Sequence, residues 1–208
     1  MIKEGVAEIT DKNSELYKFV QDITDNYPSY NKKGSTIFFT GLSGAGKSTL
    51  CERLQEELEK TEKRKIISLD GDVVRQKISK DLNFSKEHRD INIKRIGYIA
   101  KKITKKGGIV ICAQIAPYDL ARNYVREDIT KQGNFALVHV STPLEECERR
   151  DAKGLYKKAR AGIIKDFTGI GAPYETPRNA EISIDTTNKP PKECINKILY
   201  YLKKEKHL

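Results

Sequence analysis

Nine residues, Gly41-Leu42-Ser43-Gly44-Ala45-Gly46-Lys47-Ser48-Thr49, carry the types and spacing of a phosphate cradle. They fit G-x-x-x-x-G-K-[ST], with Gly41, Gly46, Lys47 and Ser48 at the fixed positions. Glycines let backbone N–H groups turn inward on an anion, and a helix starting at about Lys47 adds its positive end. In that arrangement Lys47 reaches the β- and γ-phosphates of a nucleotide and the Ser48 hydroxyl ligates Mg²⁺. A merely flexible turn would show the same glycines without the flanks seen here. Ile37-Phe38-Phe39 reads as a buried strand, and Leu50, Leu54 and Leu58 recur at helical spacing.

Further candidates follow at the ends of later strands. In Ser68-Leu69-Asp70-Gly71-Asp72-Val73-Val74-Arg75, two carboxylates project toward the loop: one suits Mg²⁺ or its waters, the other a proton from an acceptor hydroxyl. Arg75 shares a helix face with Asp72. Arg89 and Asn92 stand three apart, and with Arg75 they suit a tetrahedral anion, whose oxygens a guanidinium fork bonds in pairs. Phe84 can stack on a base. Each alone also reads as a helix cap, a surface arginine or a core phenylalanine. Residues 154–175 are glycine-rich and basic, with Lys153, Lys157, Lys158, Arg160 and Lys165 close together. Such a segment can close over phosphates as a lid, and equally be a basic loop.

The elements that must position these residues alternate. Strands are expected at 36–41, 65–70, 109–115, 135–142 and 181–187. Helices are expected at 47–60, from near Asp72, from a Ser85 cap to 107, through 120–133, at 143–151 and at 191–206. This is an α/β pattern with a central parallel sheet covered on both faces, and a ligand site at the carboxyl ends of the strands. Residues 1–33, with an amphipathic helix carrying Leu16, Phe19, Val20 and Ile23, read as an N-terminal extension to a domain at 34–208.

With 208 residues the chain suits one domain. The four cysteines form no metal spacing, and the three histidines form no ligand cluster. Reduced cysteines, no signal peptide and no long apolar run point to the cytoplasm and away from a membrane. The net charge of +10 comes from scattered lysines on solvated helix faces, without a basic-aromatic motif for nucleic acid.

Taken together, these residues resemble the adenylylsulfate kinases, most of all the kinase domain found fused to ATP sulfurylase. The likeness runs from about Gly34 to Thr187. It rests on GLSGAGKST, LDGDVVR, FSKEHRDINIKRI and TPLEECERRDAKGLYKKARAGIIKDFTGIGAPYE. It implies a P-loop NTPase-type three-layer fold with a mobile lid at about 153–175. It also implies transfer of the ATP γ-phosphate to the ribose 3′-hydroxyl of adenosine 5′-phosphosulfate, with Mg²⁺. Carried over, Asp72 is the catalytic base, acting with Lys47. Gly41, Ser43, Gly44, Ala45, Gly46, Lys47, Ser48 and Thr49 hold ATP, and Arg150 lies against its adenine. Arg75, Arg89 and Asn92 grip the phosphosulfate, and Phe84 and Phe167 flank the substrate adenine. Ile115 and Lys153 complete the substrate set. Ser48 ligates Mg²⁺, and Asp70 does so directly or through water. A homodimer is implied, and with no sulfurylase segment ahead of the kinase, a transient contact with a separate ATP sulfurylase is expected.

The sequence departs from relatives that read SPYR: here Ala116-Pro117-Tyr118-Asp119 stands instead. Ala116 excludes a phosphoserine at that position. Asp119 exchanges an arginine near the substrate for a negative charge, for which Arg122 could compensate. The alternatives are a kinase of the same fold with another small anionic or nucleotide acceptor, a GTP-dependent switch, or a polynucleotide kinase. The switch lacks its guanine reader, since Asn188-Lys189 runs into Pro190-Pro191 rather than N-K-x-D.

Overall fold

The computed structural model describes residues 10–12 and 14–208, with the side chains of Asp72 and Val73 outside the described residues. Five strands form one parallel sheet: β1 (Ser35–Thr40), β2 (Ile66–Asp70), β3 (Ile109–Ala113), β4 (Asn134–Val140) and β5 (Ile182–Ile184). Their order is β2-β3-β1-β4-β5, with Phe38 of β1 level with Cys112 of β3 and Leu137 of β4. The chain leaves β1 for one edge and later returns to the other, so β1 lies in the middle, where ligands bind in open parallel sheets.

Side chains alternate across β1 and divide the core in two. Ile37 and Phe39 join Leu50, Leu54 and Leu58 of α2 (Lys47–Thr61) and Ile195, Ile198 and Leu202 of α8 (Pro191–Lys204). Phe38 joins Ile93, Ile96, Ile99 and Ile103 of α4 (Lys86–Lys105) and Val125 and Ile129 of α5 (Asp119–Thr130). Both faces are therefore dry, and β1 and β3 are buried along their whole length. Gly97 lets α4 and α5 approach closely: a Cβ there would stand 2.5 Å from a Val125 methyl.

The shorter elements are α1 (Glu15–Asp25), α3 (Gly71–Lys77), α6 (Leu144–Arg150) and α7 (Leu155–Arg160). The expected helix from Ser85 is capped there, its hydroxyl accepting from His88 N–H at 3.3 Å. β3 ends at Ala113 and β5 spans only three residues, so the strands expected at 109–115 and 181–187 end earlier. The segment expected as a lid, or else a basic loop, contains the helical turn α7, whose first N–H groups are capped by Asp151.

Residues 15–33 pack away from the strands' carboxyl ends. Val20 of α1 is buried against the α4 side of the sheet. Lys106 closes α1 by donating to the carbonyls of Thr24, Asp25 and Tyr27 at 2.7, 3.0 and 3.0 Å, a cation on a helix's negative end. Tyr30 N–H then donates to Lys106 O at 2.8 Å, and a Cβ on Gly108 would run into the Tyr27 ring at 2.5 Å. Gly108 immediately precedes β3, so this segment braces the amino-terminal edge of the sheet.

Candidate active site

One cavity of about 580 Å³ opens at the carboxyl ends of β1, β2 and β3. It collects most of the residues singled out from the sequence. Ser43, Gly44, Gly46, Lys47, Ser48 and Thr49 line one part; Arg75, Phe84, Arg89, Asn92, Ile115 and Phe167 line another; Asp70, Arg150 and Lys153 also border it. Gly41 and Ala45 do not line it. Gly41 packs beneath the loop, where a Cβ would meet Val140 O at 2.5 Å. Ala45 is fully buried, its carbonyl accepting from the hydroxyls of Thr142 and Thr186 at 3.1 and 2.9 Å.

The phosphate loop is held ready. Gly44 and Gly46 take φ of +74° and +102°, conformations that side chains rarely adopt, and Gly46 delivers the chain into α2. Lys47 Nζ donates to Leu42 O at 2.7 Å, folding the side chain back over its own loop. Burial lowers the Lys47 ammonium to about 8, and nearby Lys153 pushes the same way. Part of the side chain still faces the cavity. An anion is what would restore its charge.

Ser48 Oγ donates to Asp70 Oδ2 at 2.9 Å, so α2's first turn and the end of β2 meet through two hard oxygen groups. That donor set, beside a phosphate loop, fits Mg²⁺. The side chain of Asp72, the expected base, lies outside the described residues; its backbone sits in the first turn of α3, two residues after Asp70.

Across the cavity the cations are gathered by other bonds. Arg75 donates to Leu82 O at 3.1 Å and to Asn83 O, and its guanidinium lies 4.0 Å from the Phe84 ring centre. Burial, and then the neighbouring charge of Arg89, lower its pKa, which still leaves an arginine charged. Arg89 donates to Phe84 O at 2.8 Å and reaches Thr168 Oγ1 and Asp166 O in the 153–175 segment. Asn92 is buried with its Oδ1 unpaired at the cavity wall. Phe84 is 64 % exposed, an aromatic face left open at the rim. Five cationic side chains (Lys47, Arg75, Arg89, Arg150, Lys153) and two described carboxylates (Asp70, Asp151) border the cavity, a balance that suits a polyanion.

Arg150 donates to Glu146 Oε1, Thr186 Oγ1 and Thr186 O at 2.8, 2.8 and 3.1 Å, which fixes it beside the phosphate loop. Two residues that pattern reading missed stand out. Tyr156 of α7 donates to Ser43 O at 2.9 Å and meets the Phe167 ring edge-on, tying the basic segment to the loop. Gln114, in an otherwise apolar strand end, lines the cavity and donates to Leu69 O at 2.9 Å. Neither was singled out from the sequence, although Tyr156 lies within the block at 142–175 that carries the resemblance.

The departures at 116–119 read differently in three dimensions. Ala116 and Pro117 border the cavity; Asp119 and Arg122 do not. Asp119 pairs with the buried Arg122 at the start of α5, where the helix dipole also favours an acid. Arg122 also donates to Ala116 O and Glu175 O, so it is a structural cation here and not a substitute ligand.

Comparison with known proteins agrees with this geometry. The family model for adenylylsulphate kinase matches residues 33–185. The adenylyl-sulfate kinase of Halothermothrix orenii is 46 % identical over 178 residues, covering 86 % of this chain and 94 % of that protein. The sulfate adenylyltransferase of Aspergillus oryzae is 41 % identical over 186 residues, covering 89 % of this chain but only 32 % of that longer protein. The APS kinase of Mycobacterium tuberculosis, solved with AMPPNP and APS, superposes with a TM-score of 0.79 at 35 % identity, covering 83 % of this chain and 99 % of that one. By its phosphate loop, its cavity and these relatives, the chain belongs to the adenylylsulphate kinase family.

Proposed function

We propose that the protein transfers the γ-phosphate of ATP to the ribose 3′-hydroxyl of adenosine 5′-phosphosulfate, giving 3′-phosphoadenylylsulfate. The observation that carries this is the single cavity with a phosphate loop on one side and the Arg75–Arg89–Asn92 group, rimmed by Phe84 and Phe167, on the other. Donor and acceptor can thus lie end to end in one cavity.

Lys47 and the N–H groups opening α2 hold the β- and γ-phosphates. Arg75, Arg89 and Asn92 hold the phosphosulfate, Asn92 meeting it with the polar group it otherwise leaves unpaired. Phe84 and Phe167 take the acceptor's adenine, and Arg150 takes that of ATP. Asp72 orients the 3′-hydroxyl and accepts its proton as the O–P bond forms and the β,γ-bridging bond breaks, leaving ADP. Ser48 with Asp70 would hold Mg²⁺, which would neutralise charge on the donor phosphates. The loose, highly charged transition state makes this positioning and charge the main source of rate.

Residues 153–175 act as a lid, with Tyr156 and Arg89 as its present moorings. The domain spans 34–208, with 1–33 as its extension. The protein works as a homodimer in the cytoplasm and meets ATP sulfurylase transiently; no helix among the described residues is long and apolar enough to cross a membrane. The test is turnover of a panel of acceptors with ATP and Mg²⁺. Transfer to adenylylsulfate supports the reading. Transfer only to a nucleoside or sugar acid favours the same-fold alternative.

A further inference from the structure

Among the described residues β2 is an edge strand, with β3 as its only neighbour, and the ladder between them ends at Asp70 opposite Ala113. The chain after β3 stays with β1, Gln114 N–H donating to Phe39 O at 3.1 Å. The Gln114 side chain reaches the other way, its Nε2 donating to Leu69 O at 2.9 Å, with the residue 3 % exposed. Its Oε1 lies so near Gly71 that a Cβ there would stand 3.0 Å away, and 3.1 Å from Ala113 O. The amide is thus wedged under the turn that carries Asp70 out of the sheet and Asp72 into α3.

We propose that Gln114 is a positioning residue for the metal site, fixing the Leu69–Gly71 turn so that the Asp70 carboxylate meets Ser48. This rests on the kinase reading above for the metal's role, though not on which acceptor is used. Asp70 ends a strand that has, among the described residues, a neighbour on one side only, and its carboxylate meets Ser48 at 2.9 Å, so a restraint on the turn that carries it bears on where it points. A buried amide bonded to a backbone carbonyl, in a strand end that is otherwise apolar, supplies that restraint.

The test is Mn²⁺ binding to the protein–ADP complex, read by the loss of the free-ion electron paramagnetic resonance signal, beside the Mg²⁺ dependence of turnover. Gln114→Met keeps length and volume and removes the donor. It is expected to weaken Mn²⁺ binding and raise half-saturating Mg²⁺ by about fivefold, the usual worth of one hydrogen bond. The KM for ATP at saturating Mg²⁺ stays at the wild-type value. Gly71→Ala presses on the same amide from the other side and is expected to weaken Mn²⁺ binding in the same direction, so it carries the test if Gln114→Met does not fold. Wild-type Mn²⁺ binding in the folded variants overturns the proposal, whatever happens to Tm. A wild-type protein inert toward adenylylsulfate, with Mn²⁺ binding still weakened in the variants, would retire the acceptor assignment and leave this role standing.

Discussion

Lys47 offers a prediction whose size follows from its surroundings. Burial lowers its pKa to about 8 in the free protein, against an ordinary 10.5. A bound triphosphate replaces the Leu42 carbonyl with several negative oxygens and should return the ammonium to its ordinary range or above. Nucleotide binding must then take up a proton whenever the free lysine has lost one. From the two pKa values, uptake is about a tenth of a proton at pH 7, about half at pH 8 and about nine-tenths at pH 9. Affinity for MgATP should fall by about tenfold per pH unit once the pH passes about 8. The same shift bears on stability. Below pH 8 the lysine is charged in both states and its burial costs stability in full. Between about 8 and 10.5 the unfolded chain binds a proton that the folded one has lost, so this group makes stability rise with pH over that window. Calorimetry of MgATP binding in two buffers of different ionisation enthalpy measures the uptake directly, and Lys47→Met should abolish its pH dependence. Equal, near-zero uptake at pH 7 and pH 9 would refute the reasoning, because it would mean a lysine no more perturbed than one on the surface.

Other outcomes follow from the same geometry. Asp72→Ala should lower kcat by about 10²–10⁴-fold with little change in ATP affinity, as expected for a general base, and steady-state kinetics checks it. Tyr156→Phe removes the bond to Ser43 O and should raise the KM for ATP by about fivefold, with a smaller effect on the KM for adenylylsulfate. Asp119→Ala strips the buried Arg122 of its carboxylate, so Tm should fall by about 2–8 °C while the KM for adenylylsulfate holds. A large rise in that KM would show that Asp119 touches the substrate after all.

Much of this was legible in the residues themselves, for physical reasons. The phosphate loop requires glycine where φ is positive, and Gly44 and Gly46 take those values. The strands are buried on both faces, so Ile37-Phe38-Phe39 and Ile109-Val110-Ile111 stand out as continuous apolar runs, and their helices as periodic ones. Strand ends were less visible. Residues 114 and 115 extend the run of Ile109–Ala113 beyond the assigned strand, because the chain there still bonds to β1 while its side chains line the cavity. Side-chain brackets were not visible. Gln114 and Tyr156 act through one hydrogen bond each to a distant carbonyl, which leaves no periodic trace. Nor did spacing reveal that residues 15–33 brace the far edge of the sheet, which depends on where Gly108 ends up in space.

The most direct test of the central claim is incubation of the purified protein with ATP, Mg²⁺ and adenosine 5′-phosphosulfate, with the product's phosphorus spectrum recorded. The account predicts one new phosphomonoester on the ribose 3′-oxygen, formed together with ADP and lost when Mg²⁺ is chelated. ADP formed without that phosphomonoester, or phosphate delivered only to an acceptor lacking the phosphosulfate group, would contradict it.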